Sequence, residues 1–338
     1  MIRYLRQSAL SIVVATALFA GAMPDNLSAQ SPASNSAPAD SLDLAAGLVG
    51  VMGDTLRQAF EHPWVPSGDP NAVPLNLVPP LATATQYKAR AYEDGCHAMP
   101  PVRQATGCDY GVLDSPVTVV ILGDSHGAMW LPAMERVAAA RDWRIHLLTK
   151  SACTPANITV LRHGAPYTQC DAWRQSAFDL IQQMKPDMVI VASTSEYELQ
   201  SMPYDPNSAA YFETWRAAVA DTLRTVGQSA GQVVLLNDVP KHTQDPVACL
   251  TAHPDDVTAC STPRDVAMRP AMVAAYQGAA EDAGATFVDP TPLVCPGDPC
   301  PVVDGRFLVV YDDSHLTSVY SQHISEAFGA LLPQVPAP

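Results

Sequence analysis

The chain has 338 residues, of which 48% are hydrophobic, and this is enough to build one large domain or two small ones around a sizeable core. Its formal net charge is −15 at pH 7, because lysine and arginine together number only 19. A surface of that sign repels a phosphate backbone, so we expect no binding to nucleic acid.

The N-terminal segment, residues 1–29, has the pattern of a secretory signal peptide. Two arginines precede an apolar run of 13 residues, Ala9–Gly21, and small residues at 20–22 or 27–29 offer cleavage sites. An uncleaved membrane anchor is the alternative, but a span typically needs ~20 apolar residues. We therefore expect export to the periplasm or another extracytoplasmic part of the cell envelope, or secretion.

Residues 30–43 are mostly Ser, Ala, Pro and Asp, a composition that predicts a disordered linker. Residues 44–116 are interpreted as an N-terminal extension that packs on a catalytic domain. The extension begins with apolar residues near helical spacing, continues through a proline-rich stretch and carries the first two cysteines.

From residue 117 onward, apolar β-branched runs alternate with segments of helical periodicity. The predicted strands are VTVVILGD (117–124), RIHLLTK (144–150), MVIVAST (188–194), QVVLLNDVP (232–240) and ATFVDP (285–290). The predicted helices lie at 129–142, 170–187, 211–231, 264–284 and 317–332. This alternation predicts an α/β catalytic domain over residues 117–335, a three-layer α/β/α sandwich with a central parallel five-stranded sheet of the flavodoxin-like type.

The eight cysteines fall as near neighbours in the chain. The pairs are Cys96 and Cys108, Cys153 and Cys170, Cys249 and Cys260, Cys295 and Cys300. An even count in an exported chain favours disulfides, and sequential pairing is preferred because each pair closes a short loop. A zinc site is the rival at the tightly spaced Cys295 and Cys300, but no second tight pair accompanies it, so we expect no metal and no cofactor.

The strand at 117–124 runs directly into Gly-Asp-Ser-His. Sites in parallel sheets form beyond the carboxyl ends of strands, which makes Ser125 a candidate nucleophile. A serine needs a base and a group that orients the base. His315 lies just before the last predicted helix and Asp312 three residues earlier, so one turn could present both, with Asp313 as the alternative orienting acid. His97 and His242 lie in polar loops and are expected to be solvated.

Gly-Asp-Ser after the first strand and Asp-x-x-His before the last helix resemble the SGNH (GDSL-like) hydrolase superfamily. The resemblance is closest to SGNH domains associated with membrane O-acyltransferases of the acyltransferase 3 family. It rests on Gly-Asp-Ser-His, KSACTP, Cys170-x-x-Trp173, the Pro-Asp before the third strand and the cysteine loop DPTPLVCPGDPC. The similarity extends over about residues 75–335.

The resemblance implies that Ser125 is the nucleophile, His315 the general base and Asp312 the orienting acid. The Ser125 backbone N–H would donate to the oxyanion. Superfamily members usually add a Gly after the second strand and an Asn after the third, and this chain has neither. The candidates for the missing oxyanion donors and for substrate contacts are Ser151 or Ala152, Ser193 or Thr194, Asp124 and His126.

The activity that the resemblance implies is that of an exported serine-dependent O-acyltransferase. It would move an acetyl or other short acyl group onto a cell-envelope glycan or glycolipid through an acyl-serine intermediate. The expected partners are the acyl donor, the acceptor and a separate membrane acyltransferase of the acyltransferase 3 family, and we expect a monomer. The alternatives are a secreted SGNH carbohydrate esterase or deacetylase and, second, a non-catalytic binding module, against which the intact serine, histidine and aspartate argue.

Overall fold

The computed structural model describes residues 69–335. The predicted signal peptide, the linker and the start of the extension therefore lie outside the described residues. Between residues 69 and 335, no helix has both the length and the apolar character that a membrane span requires.

A seven-stranded sheet forms the centre of the fold. Its strands are β1 (His97–Ala98), β2 (Cys108–Gly111), β3 (Thr118–Gly123), β4 (Arg144–Lys150), β7 (Met188–Ala192), β8 (Gln232–Leu236) and β9 (Thr286–Val288). Two short hairpins lie apart from it, β5 (Leu161–Arg162) with β6 (Ala165–Pro166) and β10 (Val303–Asp304) with β11 (Phe307–Leu308).

The five predicted strands are parallel to one another and lie in the order β4-β3-β7-β8-β9. Numbered along the chain this is 2-1-3-4-5, the order of flavodoxin-like folds, so the predicted fold class is confirmed. The extension adds two strands that were not predicted. β1 pairs in parallel with the last two residues of β4, and β2 pairs antiparallel with its first four. Strands of two and four residues are too short to show the alternation of polar and apolar residues that predicts a strand.

Helices cover both faces of the sheet. They are α1 (Ser125–Ala128), α2 (Leu131–Arg141), α3 (Thr168–Met184), α4 (Ala209–Gly227), α5 (Pro246–Ala252), α6 (Arg264–Met268), α7 (Pro270–Ala283), α8 (Thr291–Val294), α9 (Ser318–His323) and α10 (Ser325–Leu331). Short 3-10 helices lie at Leu81–Gln86, Arg90–Tyr92 and Val257–Cys260.

The prediction of one helix at 264–284 is wrong. Arg269 has a φ of 50°, which ends α6 and begins α7, because Pro270 disfavours right-handed helical geometry at the residue before it. The last predicted helix is likewise divided, at Ile324.

Successive residues of β3 point into two different cores, and all six are buried. Val119 and Ile121 pack in the core that also contains residues of α2, α9 and α10. Val120 and Leu122 pack in the other core, with residues of α3, α4 and α7. The continuous apolar run is therefore explained by burial on both faces, and the strand is held rigidly up to its carboxyl end.

Four disulfides join sequential neighbours: Cys96–Cys108, Cys153–Cys170, Cys249–Cys260 and Cys295–Cys300. The last of these excludes thiolate zinc ligation at that pair. The Cys96–Cys108 disulfide closes a loop of the extension. The buried Lys150 holds this loop on the domain. Its ammonium group donates to the carbonyl oxygens of Met99 at 2.7 Å and Pro100 at 2.8 Å.

Candidate active site

The turn after β3 is built for close approach between strands. A Cβ atom on Gly123 would overlap the carbonyl oxygen of Ala192 in β7, so only glycine fits there. Asp124 then caps α1, since its Oδ1 accepts the backbone N–H of His126 at 2.7 Å. As a result, Ser125 begins a helix at the carboxyl edge of the sheet, partly open to solvent.

The three residues predicted to form the site are hydrogen-bonded in series. The Nε2 atom of His315 lies 2.8 Å from Oγ of Ser125. On the other side of the ring, Nδ1 lies 2.9 Å from Oδ2 and 3.0 Å from Oδ1 of Asp312. This is the geometry in which a carboxylate fixes the tautomer of an imidazole and the imidazole accepts a proton from a serine.

The Asp312 carboxylate is held by its own turn. Its Oδ1 accepts the backbone N–H groups of His315 at 2.7 Å and Ser314 at 3.0 Å. Burial alone would raise the pKa of this carboxyl, but the hydrogen bonds and charge of His315, with the backbone donors, outweigh burial and lower it. The neighbouring Asp313 faces elsewhere, 4.0 Å from Nζ of Lys241. The contact with His315 therefore belongs to Asp312.

Asp124 collects the polar groups that follow β7. Its fully buried Oδ2 accepts the hydroxyl of Ser193 at 2.7 Å, the hydroxyl of Tyr197 at 2.7 Å and the N–H of Thr194 at 3.0 Å. A buried carboxylate needs such donors, because leaving it unpaired is costly. The structure thus directs the Ser193 and Thr194 candidates towards Asp124.

Of the other two candidate donors, Ser151 and Ala152, the first has a backbone N–H that is already hydrogen-bonded and the second, in the described part of the chain, does not. The Ser151 N–H donates to the carbonyl oxygen of Ala98 at 2.9 Å. Ala152 is exposed and has a φ of 50°, the left-handed conformation that a glycine would adopt without strain. Within residues 69–335, neither the N–H of Ala152 nor that of Ser125 makes a hydrogen bond.

The extension contributes side chains that the sequence did not reveal. The hydroxyl of Tyr92 interacts with the side chains of Ser125 and Tyr311, and burial raises its pKa, which keeps it protonated. The Tyr92 ring lies 4.5 Å from that of His97. His97 is 3% exposed, not solvated as predicted, and its Nδ1 lies 3.0 Å from Oγ1 of Thr149. His242 is also buried, against the same expectation.

A second histidine–carboxylate pair adjoins the first. Nδ1 of His126 lies 2.6 Å from Oδ1 of Asp238, in the loop after β8. The rings of His126 and His315 meet edge-on with centroids 4.6 Å apart. His126 was among the candidates for oxyanion donors and substrate contacts, whereas Asp238 was not predicted. Its only signal in the sequence is its position just after a strand.

The chain belongs to the family of SGNH domains that are fused to AT3 domains, whose profile matches residues 92–330. The predicted superfamily is confirmed, and the chain is an SGNH-type enzyme. The periplasmic domain of a lipopolysaccharide acetyltransferase from Salmonella ser. Paratyphi A has a similar fold, with a TM-score of 0.53 and 14% identity over 84% of this chain and 97% of that one. A catalytic mutant of an acetylxylan esterase from Geobacillus stearothermophilus aligns with a TM-score of 0.41 and 12% identity over 67% and 100%. No curated protein matches this chain in sequence.

Proposed function

We propose that the protein is an exported serine O-acyltransferase that moves an acetyl or other short acyl group onto a cell-envelope glycan or glycolipid. The observation that carries the proposal is the series Ser125–His315–Asp312, with 2.8 Å between serine and imidazole and 2.9 Å between imidazole and carboxylate. It is placed where a parallel sheet positions reactive groups, beyond the carboxyl end of β3.

In the first half-reaction, His315 takes the proton of Ser125 as Oγ attacks the acyl carbonyl of the donor. The negative charge on the carbonyl oxygen meets the free N–H groups of Ser125 and Ala152. The donor's leaving group departs with the proton from His315, and an acyl ester remains on Ser125. In the second half-reaction, an acceptor hydroxyl gives its proton to His315 and attacks the ester, and Oγ leaves and regains that proton.

The small number of free candidate oxyanion donors should slow acylation, hydrolysis and transfer alike. Of the predicted donors, Ser193 and Thr194 are engaged by Asp124, which leaves the backbone N–H groups of Ser125 and Ala152 free. In another serine hydrolase, one lost donor costs about 2.7 to 4 kcal/mol of activation free energy. Transfer is favoured over hydrolysis by position instead, because a bound sugar hydroxyl gains a large effective concentration that freely diffusing water lacks.

The partner and the compartment follow from the family and the cysteines. Family members are fused to AT3 domains, which supports a membrane acyltransferase of that family as the source of acyl groups for this chain. The four disulfides support an oxidising, extracytoplasmic compartment.

The test begins with purified protein and p-nitrophenyl acetate, followed by intact-mass measurement. We expect one acetyl group on Ser125, and transfer to an added glycan that competes with hydrolysis. Ser125→Ala should abolish both reactions and retain the fold, while Ser151→Ala is the matched control with activity near wild type. Rapid hydrolysis with no transfer to any glycan would favour the carbohydrate esterase. An intact fold with no acetyl adduct would favour the binding module.

A further inference from the structure

The His126–Asp238 pair repeats the arrangement of the His315–Asp312 pair and lies beside it. Each histidine has Nδ1 against a carboxylate, and the two rings are in edge contact. Unlike Asp312, Asp238 is nearly enclosed, with its side chain 7% exposed, and that of His126 is 4% exposed. The ring of His126 is therefore held in one orientation beside His315.

A network of alternating charge keeps Asp238 in place. Its Oδ2 accepts the N–H and hydroxyl of Ser195 at 3.1 and 3.0 Å, and Nη2 of Arg269 at 3.3 Å. Arg269 also pairs with Glu196, which in turn pairs with Lys241. Burial would raise the pKa of Asp238, but the charges and hydrogen bonds of His126 and Arg269 lower it to about 2. The carboxylate is ionised at any pH of physiological interest.

This ionised partner determines what His126 can offer to a ligand. The proton on Nδ1 is directed at Asp238, and Nε2 has no hydrogen bond within residues 69–335. Burial lowers the pKa of His126, but the nearby carboxylates of Asp238, Asp124 and Asp312 outweigh burial and raise it. His126 is therefore protonated up to a higher pH than free histidine, and in that protonated form Nε2 is a hydrogen-bond donor.

The position of His126 relates it to the acceptor. On the proposed function, the attacking hydroxyl of the acceptor must lie at Nε2 of His315, which is the base in the second half-reaction. Because the rings of His126 and His315 are in contact, with centroids 4.6 Å apart, we take Nε2 of His126 as the group that meets an oxygen on the neighbouring carbon of the acceptor. A sugar has such a second oxygen and water does not.

We propose that His126, held by Asp238, is a specificity-determining residue that donates from Nε2 to the hydroxyl adjacent to the attacking one. This inference rests on the proposed function. It implies that the acceptor has a vicinal diol, and that the His126–Asp238 pair selects a sugar over water.

Two small alcohols test this with p-nitrophenyl acetate as donor: cyclohexanol and trans-cyclohexane-1,2-diol, which differ by one hydroxyl. The readout is the ratio of the two transfer rates within each variant, so changes in acylation of Ser125 cancel. We expect wild type to prefer the diol by about tenfold or more, as a charge-assisted hydrogen bond allows. His126→Asn keeps an amide near Asp238 but lacks the outer nitrogen, and should lose the preference. His126→Gln restores a nitrogen near the Nε2 position and should regain part of it.

A pH profile separates this role from a merely structural one. Asp238→Asn removes the charge that raises the pKa of His126, so the diol preference should disappear at a lower pH than in wild type. This variant carries the test if His126→Asn does not fold. An equal ratio in wild type and His126→Asn, an unmoved profile in Asp238→Asn, or acyl-Ser125 that transfers to neither alcohol would each overturn the inference. Absence of acyl-Ser125 would instead overturn the proposed function, and the inference with it.

Discussion

The substitution Asp312→Asn tests the contact between the Asp312 carboxylate and Nδ1 of His315. Asparagine can still accept the backbone N–H groups of Ser314 and His315 through its amide oxygen, so the turn should keep its shape. Its amide nitrogen, however, can donate to Nδ1 of His315, which then has its proton on Nε2. An imidazole with the proton on Nε2 cannot take a second one from Ser125.

The size of the effect follows from the environment. The corresponding substitution in a serine protease lowers turnover by about 10⁴-fold. The side chains of His315 and Asp312 are 21% and 36% exposed, so water can partly replace the lost contact and rescue the useful tautomer. We therefore expect a loss of about 10³-fold, or about 4 kcal/mol of activation free energy, at neutral pH.

Single-turnover acetylation of Ser125 by p-nitrophenyl acetate is the assay, because it excludes effects of the acceptor. Asp313→Asn is the matched control. It changes the next residue in the same turn, whose carboxylate faces Lys241 and not His315, and should stay within about threefold of wild type. The reasoning is refuted if Asp312→Asn retains more than a tenth of the activity, or if Asp313→Asn is equally damaging.

Two further predictions concern the extension. Replacing Cys96 and Cys108 by serine opens a loop with a sequence separation of 12, and should lower the free energy of unfolding by about 3 kcal/mol in a urea titration; unchanged stability would contradict the docking described above. Burial lowers the pKa of His97 to about 4 from an ordinary 6.5, so stability is fully present above pH 6.5 and declines as the pH falls towards 4. His97→Gln should reduce this decline by up to about 3 kcal/mol, whereas the exposed His253→Gln should not change it.

The parallel sheet was predictable because its strands are buried on both faces and so read as unbroken apolar runs. β3 is the clearest example, with every residue buried. The two strands of the extension were not predictable, since His97–Ala98 pairs with β4 through only two residues. The division of the helix at Arg269 had a signal, the proline that follows, but helical periodicity on both sides obscured it.

In the candidate site, too, contacts between residues close in sequence were predictable and contacts between distant residues were not. Asp312 and His315 share one turn, so their spacing in the sequence already implies their contact. Asp238 is separated from His126 by 112 residues, and no spacing rule relates them. His97 reads as a loop residue because the sequence does not show that a disulfide and Lys150 fix the loop against β4.

Three carboxylates, those of Asp124, Asp238 and Asp312, lie near His126, the residue that follows Ser125. The charges of all three raise the pKa of His126. Such a field opposes the negative charge that develops on the acyl oxygen when Ser125 attacks. Hydrogen bonds disperse the charge of Asp124, and Arg269 with His126 offsets that of Asp238. Ser193 and Thr194 donate to Asp124, so the proposed mechanism relies on the backbone N–H groups of Ser125 and Ala152 to meet the oxyanion.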